Sequence, residues 1–184
     1  MSADETAVPA VETALWGDVR IECYVRSGIP GAVSRHVGTL VDRLRTLADR
    51  DTVADVRVDQ WPSRHAFADE PSRTRNDLVV EFERWADRRG YSLEPAFRRQ
   101  EVPTSPLGLD DEARERVRVP LLALALYGAD DRLRGVVPYT DHPQPDEGRT
   151  YTVEQWLTAA ETQAVEPPLE TSSDEPTTFL RGRQ

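Results

Sequence analysis

The stretch RRGYSLEPAFRRQ, residues 88–100, holds two arginine pairs, Arg88–Arg89 and Arg98–Arg99, on either side of a glycine. A guanidinium is a rigid planar fork of donors that meets a phosphate through two parallel hydrogen bonds. Clustered arginines can therefore grip a nucleic-acid backbone. Residues 84–99 contain five arginines against one aspartate and one glutamate, a local charge of 5 − 2 = +3. Arg88, Arg89, Arg98 and Arg99 are accordingly the candidate nucleic-acid contacts. Each pair also has an ordinary local role. Arg88 and Arg89 fall in the last turn of a helix, where a cation meets the carbonyl end of the dipole. Arg98 and Arg99 are neighbours in a strand and point to opposite faces, so they cannot act as one tight pair of prongs.

Other chemistry is thin. His36, His65 and His142 stand apart, with no cysteine, histidine or carboxylate at ligand spacing, so no metal is expected. Neither HExxH, CxxC nor GxSxG occurs. The turn SGIPGAV has two glycines but no lysine after it, which is a poor phosphate loop, and no cofactor is expected. Cys23, the one cysteine, excludes an internal disulfide and falls on the apolar side of a strand. Trp16, Trp61, Trp85 and Trp156 could offer bases a stacking platform, although Trp85 and Trp156 lie on the apolar stripes of helices. No catalytic residues are assigned, and the chain reads as a non-enzyme.

Composition narrows the partners. The formal charge is −10, and all 23 basic residues are arginine. Strong acidity without lysine fits a GC-rich halophile whose interior holds molar salt. The Debye length there is about 3 Å, so diffuse attraction to phosphate or lipid is lost and DNA binding must rest on short-range contacts. No run approaches 18 apolar residues, and the start MSADETAVPAVET is acidic, so a membrane span and a signal peptide are not expected. A cytoplasmic location follows.

The elements that must position these residues are read from periodicity. Residues 1–17 are a flexible leader, 18–162 a single α/β domain, and 163–184 an acidic disordered tail ending in FLRGRQ. DVRIECYVRS alternates as a strand with Val19, Ile21, Cys23 and Val25 on one face. A helix over 33–50 follows, with Val33, Val37, Leu40, Val41, Leu44, Leu47 and Ala48 on its stripe, and then the strand DTVADVRVDQW. Thr74 and Asp77 form a capping pair for a second helix that stops at Gly90. YSLEPAFRR alternates as an edge or bulged strand because of Pro95, and PTSPLGLDDEARE is a loop. RVRVPLLALALYG is apolar on both faces, which places it mid-sheet with Pro120 at a bulge or the strand start, and LRGVVPYTD returns as its hairpin partner. A capping box from Thr152 to Gln155 opens the closing helix. The order is β-α-β-α-β-β-β-α, an α/β (α+β) fold with a single mixed sheet and helices packed against it.

FERWADRRGYSLEPAFRRQEV, VRVPLLALALYGADDRLRGVVPYTD and RTYTVEQWL, together with RIECYVRS and DVRVDQW, resemble a family of small haloarchaeal proteins labelled helix-turn-helix domain proteins. The resemblance covers residues 18–162 and implies a DNA-binding or transcription-linked regulatory role. The periodicity, however, puts a strand and a long connector between helices 33–50 and 74–89, whereas a helix-turn-helix joins two helices by a short turn. Two readings stand side by side. One is a regulatory protein with DNA as partner. The other is an interaction module that binds a protein partner, or itself, through a sheet edge or face and has no DNA role. A DNA binder should gather its arginines on one face, and a module should show an uncovered edge or apolar patch.

Overall fold

The structure, a computed structural model, describes residues 17–63, 73–103 and 113–165. The leader up to residue 16 and the tail beyond 165 lie outside the described residues. Among the described residues, eight strands and three helices follow in order: β1 (Arg20–Val25), α1 (Gly31–Asp49), β2 (Asp55–Gln60), α2 (Arg75–Arg89), β3 (Arg98–Pro103), β4 (Ala113–Arg118), β5 (Leu122–Tyr127), β6 (Leu133–Val137), β7 (Tyr139–Thr140), β8 (Thr150–Tyr151) and α3 (Val153–Val165). The α+β class and the mixed sheet with packed helices stand.

That sheet has four strands in the order β2-β1-β5-β6. β1 runs parallel to β2, across the crossover made by α1, and antiparallel to β5. The sequence LALALY of β5 is buried at every position, as a strand with no polar face must be. Register then assigns the faces. Cys23 pairs with Leu124 and Val58, and it lies on the side of α1, whose Arg45 is close enough to act on its thiol. Tyr24 turns the other way, its ring 6.3 Å from that of Phe82 on α2. α1 and α3 share the first face, joined by Arg43 and Glu161 at 2.7–2.9 Å. α2 covers the second, burying Leu78, Val79, Phe82, Trp85 and Ala86.

The local signals at the helix ends are realised. Thr74 and Asp77 form a reciprocal capping box at the start of α2, and Gly90 closes it at φ 69°, a backbone region that favours glycine. At the start of α3 the Thr152 backbone N–H donates to Gln155 Oε1 at 2.9 Å, and the Gln155 N–H returns to Thr152 Oγ1 at 3.3 Å.

Three expectations of detail are corrected. The strands do not share one sheet: β3 and β4 form a separate two-stranded ribbon, and β7 and β8 a short one. The expected strand over 91–99 starts only at Arg98, because Leu93–Phe97 make a turn around the cis Glu94–Pro95 bond. Ser92 is tied instead to Thr140 by paired backbone bonds of 2.9 and 2.7 Å. Finally, the long strand through Pro120 is two strands, since proline has no N–H for a ladder and the chain breaks there. β4 therefore extends the ribbon back to Ala113, into the stretch expected to be loop, while β5 enters the sheet.

Two consequences can be measured. Thr74→Ala should lower the unfolding free energy by about 1 kcal/mol, seen as a fall in urea midpoint at unchanged slope. The Glu161 carboxyl is held below its ordinary pKa by hydrogen bonding to Arg43. A depressed carboxylate contributes stability above its unfolded pKa and loses it as pH falls through the folded value. Glu161→Gln should accordingly destabilise the protein at neutral pH and flatten the acid limb of a stability–pH curve.

Candidate nucleic-acid interface

The β3–β4 ribbon sets the geometry. Its register pairs Arg98 with Arg118, Arg99 with Val117 and Gln100 with Arg116. Alternation along each strand sends Arg98, Gln100, Arg116 and Arg118 to one face, and Arg99 and Val117 to the other. The second face turns to α2, where Arg99 makes a two-pronged pair with Glu83 at 2.7 and 2.5 Å. The first face is exposed at all four positions.

Beside this exposed face lies a hollow of about 370 Å³, lined by Arg26, Arg75, Gln100, Arg116, Val117, Arg118 and Val119. Four of these are arginines, and no carboxylate lines it among the described residues. The fold brings the four from different places. Arg26 follows the carboxyl end of β1, and its N–H is fixed by the Leu121 carbonyl at 2.8 Å. Arg75 opens α2, where its N–H bonds the Ser63 carbonyl at 3.0 Å and its Nε the Pro62 carbonyl at 3.2 Å. Arg116 and Arg118 close the side formed by β4. The site therefore sits where the parallel strands β1 and β2 end and the connection into β5 begins.

Like charges directly opposite on a ribbon are destabilising unless something neutralises them. Arg98 and Arg118 are such a pair, and neither they nor Arg26 and Arg116 form an ion pair among the described residues. Other arginines have carboxylate partners, Arg20 with Glu22 and Asp131, Arg57 with Asp55 and Arg134 with Asp130, whereas Arg35, Arg50, Arg84, Arg88, Arg89 and Arg149 form no ion pair among the described residues. Four of the unmatched guanidinium groups, Arg26, Arg98, Arg116 and Arg118, lie on the ribbon face or line the hollow. Chemically it offers fixed donors to an anion with several oxygens.

The four arginines singled out in the sequence are not gathered together. Arg88 and Arg89 are exposed in the last turn of α2 and do not line the hollow. Arg98 belongs to the exposed ribbon face, whereas Arg99 is turned to Glu83. Arg116 and Arg118 were missed, although their spacing of two in RVRV is the signal of one strand face. Arg26 and Arg75 carry no such signal, because only the fold makes them neighbours.

The remaining candidates resolve into packing. Trp61, Trp85 and Trp156 are buried, and Trp61 stacks on Tyr24 at 5.1 Å. Trp16 and His65 lie outside the described residues. His142 approaches Glu147 at 3.6 Å in an exposed loop. Among the described residues no group of three or more His, Cys, Asp or Glu side chains could hold a metal ion. On the α2 face of the sheet, Tyr24 donates to Glu22 at 2.6 Å, and Arg20 stacks over Tyr127 at 5.3 Å. Arg73 and Glu81 form an ion pair beside Tyr127. This partly buried polar cluster is largely satisfied internally, which makes it a layer of packing. No helix among the described residues is long and apolar enough to cross a membrane.

A family model described as helix-turn-helix domain matches residues 14–165, and the chain belongs to that family. No curated protein and no solved structure matches the chain. Among the described residues no two helices are joined by a short turn: β2 and a connector separate α1 from α2, and six strands separate α2 from α3.

Cys23 provides a check on the packing that holds the site. It is fully buried in β1, and desolvation pushes its thiol up to about 12. A thiol reagent at pH 8 should label it in the native protein only as fast as the chain opens, and immediately after unfolding. Rapid native labelling would show that β1 is not held as described.

Proposed function

We propose that this member of the helix-turn-helix domain family is a non-enzymatic regulatory protein of a haloarchaeal cytoplasm, and that it holds DNA by its backbone through the β3–β4 ribbon. The observation that carries the reading is the arginine-lined hollow with its adjoining ladder of Arg98, Arg116 and Arg118 on a chain of charge −10. A generally basic surface attracts DNA at long range and fails in brine. A few fixed guanidinium groups at hydrogen-bond distance keep their grip when the Debye length is about 3 Å.

A ribbon is a known way to present side chains to a DNA groove without a recognition helix. Here Arg98 and Arg118 stand at the same level across the ribbon, and Arg116 lies two residues along. Phosphates bound by these residues would relieve the repulsion between the opposed arginines, which gives this face a reason to favour a polyanion. Such contacts position a protein on the duplex and do not read its sequence. The structural role of Arg99 in holding the ribbon to Glu83 makes it a support of the site, and Arg98 is a contact.

The test is anisotropy of labelled genomic-DNA fragments in KCl, from the lowest concentration that keeps the protein folded to about 2 M. The protein should bind, and Arg116→Ala with Arg118→Ala should weaken binding about tenfold or more and reduce the salt slope by about 2. No binding at any of these salts, or a double variant that binds as the wild type does, contradicts the proposal.

A further inference from the structure

The two edges of the main sheet differ. At β6 the edge is closed by α2, whose Trp85 indole N–H donates to the Arg134 carbonyl at 2.9 Å. At β2 the outer row of backbone groups has no strand beside it among the described residues. β2 also has no buried residue, whereas β1 has three and β5 is buried throughout. Val56 and Val58 remain half-exposed on the α1 side, and Asp55, Arg57 and Asp59 are exposed on the other.

Edge strands carry charge to prevent indiscriminate pairing. Here the order of the charges also specifies one pairing. If β2 meets a second β2 antiparallel about a two-fold axis at Val58, Val58 faces Val58, Val56 faces Gln60, and Arg57 faces Asp59 twice. Five strand residues are then matched in each copy. Moving the axis to Arg57 lets Val56 face Val58 but opposes Arg57 to Arg57 and Asp55 to Asp59, so every charged pair is repulsive. Moving it to Val56 restores attraction between Asp55 and Arg57 but leaves only three strand residues paired. The exposed Asp55–Arg57 ion pair, at 3.0 Å, is on the surface and can exchange partners at little cost.

We propose that the β2 edge is a self-association surface, occupied by a second copy of this chain in the register centred on Val58. The two four-stranded sheets then run on as one sheet of eight strands, with equal contacts from each copy, as a two-fold interface requires. Pairing covers the exposed backbone of β2 and puts the two Val58 side chains together. This inference is independent of DNA binding, since β2 contributes nothing to the arginine hollow.

The test is sedimentation equilibrium of the full chain, with far-UV circular dichroism as the control for folding, at the lowest salt that keeps the protein native. The expected species is a dimer of twice 20.7 kDa. Arg57→Asp and Asp59→Arg, each alone, convert two attractive cross-strand pairs into repulsive ones and should weaken the dimer about tenfold or more. The double exchange, Arg57→Asp with Asp59→Arg, should restore it. A wild-type monomer at every concentration overturns the proposal. So does a dimer that neither single reversal weakens, or one that the double exchange fails to restore.

Discussion

Burial of β5 on both faces is the constraint from which the rest follows. A run such as LALALY has no polar side to offer to water, and each leucine buried contributes on the order of 2 kcal/mol. It must have strands at both edges and helices above and below. β1 and β6 supply the edges, α1 and α3 one cover, and α2 the other. With both flanks of β5 taken, the chain before Pro120 cannot stay in the sheet. β4 therefore turns back on β3 as a ribbon outside it, and the ribbon carries its arginines to the surface beside the ends of β1 and β2.

Charge is distributed to the same effect. Several arginines, Arg20, Arg57 and Arg134 among them, are tied to nearby carboxylates in pairs that each contribute little to stability. On the ribbon face and in the hollow, Arg26, Arg98, Arg116 and Arg118 lack such partners among the described residues and lie near one another. Around Arg26, Arg116 and Arg118 the hollow's uncharged lining is Gln100, Val117 and Val119, whereas Arg98 borders a second hollow with Glu83, Asp87 and Glu94. Arginines without carboxylate partners keep their donors available to an external anion with several oxygens. Those fixed donors are the physical link between the fold and the proposed activity.

Much of the architecture was legible in the sequence, for reasons that can be named. The alternation in RIECYV, the stripe from Val37 to Leu47, the Thr74–Asp77 box and Gly90 are local signals, and local signals survive folding. The site was less legible. RRGYSLEPAFRRQ attracts attention because its arginines are adjacent, but adjacency in a strand divides them between faces, as Arg98 and Arg99 show. The residues that converge are spaced by two, like Arg116 and Arg118, or are distant in sequence, like Arg26 and Arg75. Pro95 and Pro120 obscured the ribbon, because the break each imposes depends on which strand finds which partner. The family description likewise does not disclose the geometry, since the described helices are not consecutive.

The central claim is one of location: DNA meets the arginine face of the ribbon, not a helix. Hydrogen–deuterium exchange of the full chain in molar KCl, with and without a DNA duplex, tests it most directly. Slowed exchange confined to β3, β4 and the backbone around Arg26 and Arg75 is the predicted result. Protection along α1 or the exposed side of α2, with the ribbon unchanged, would contradict the account.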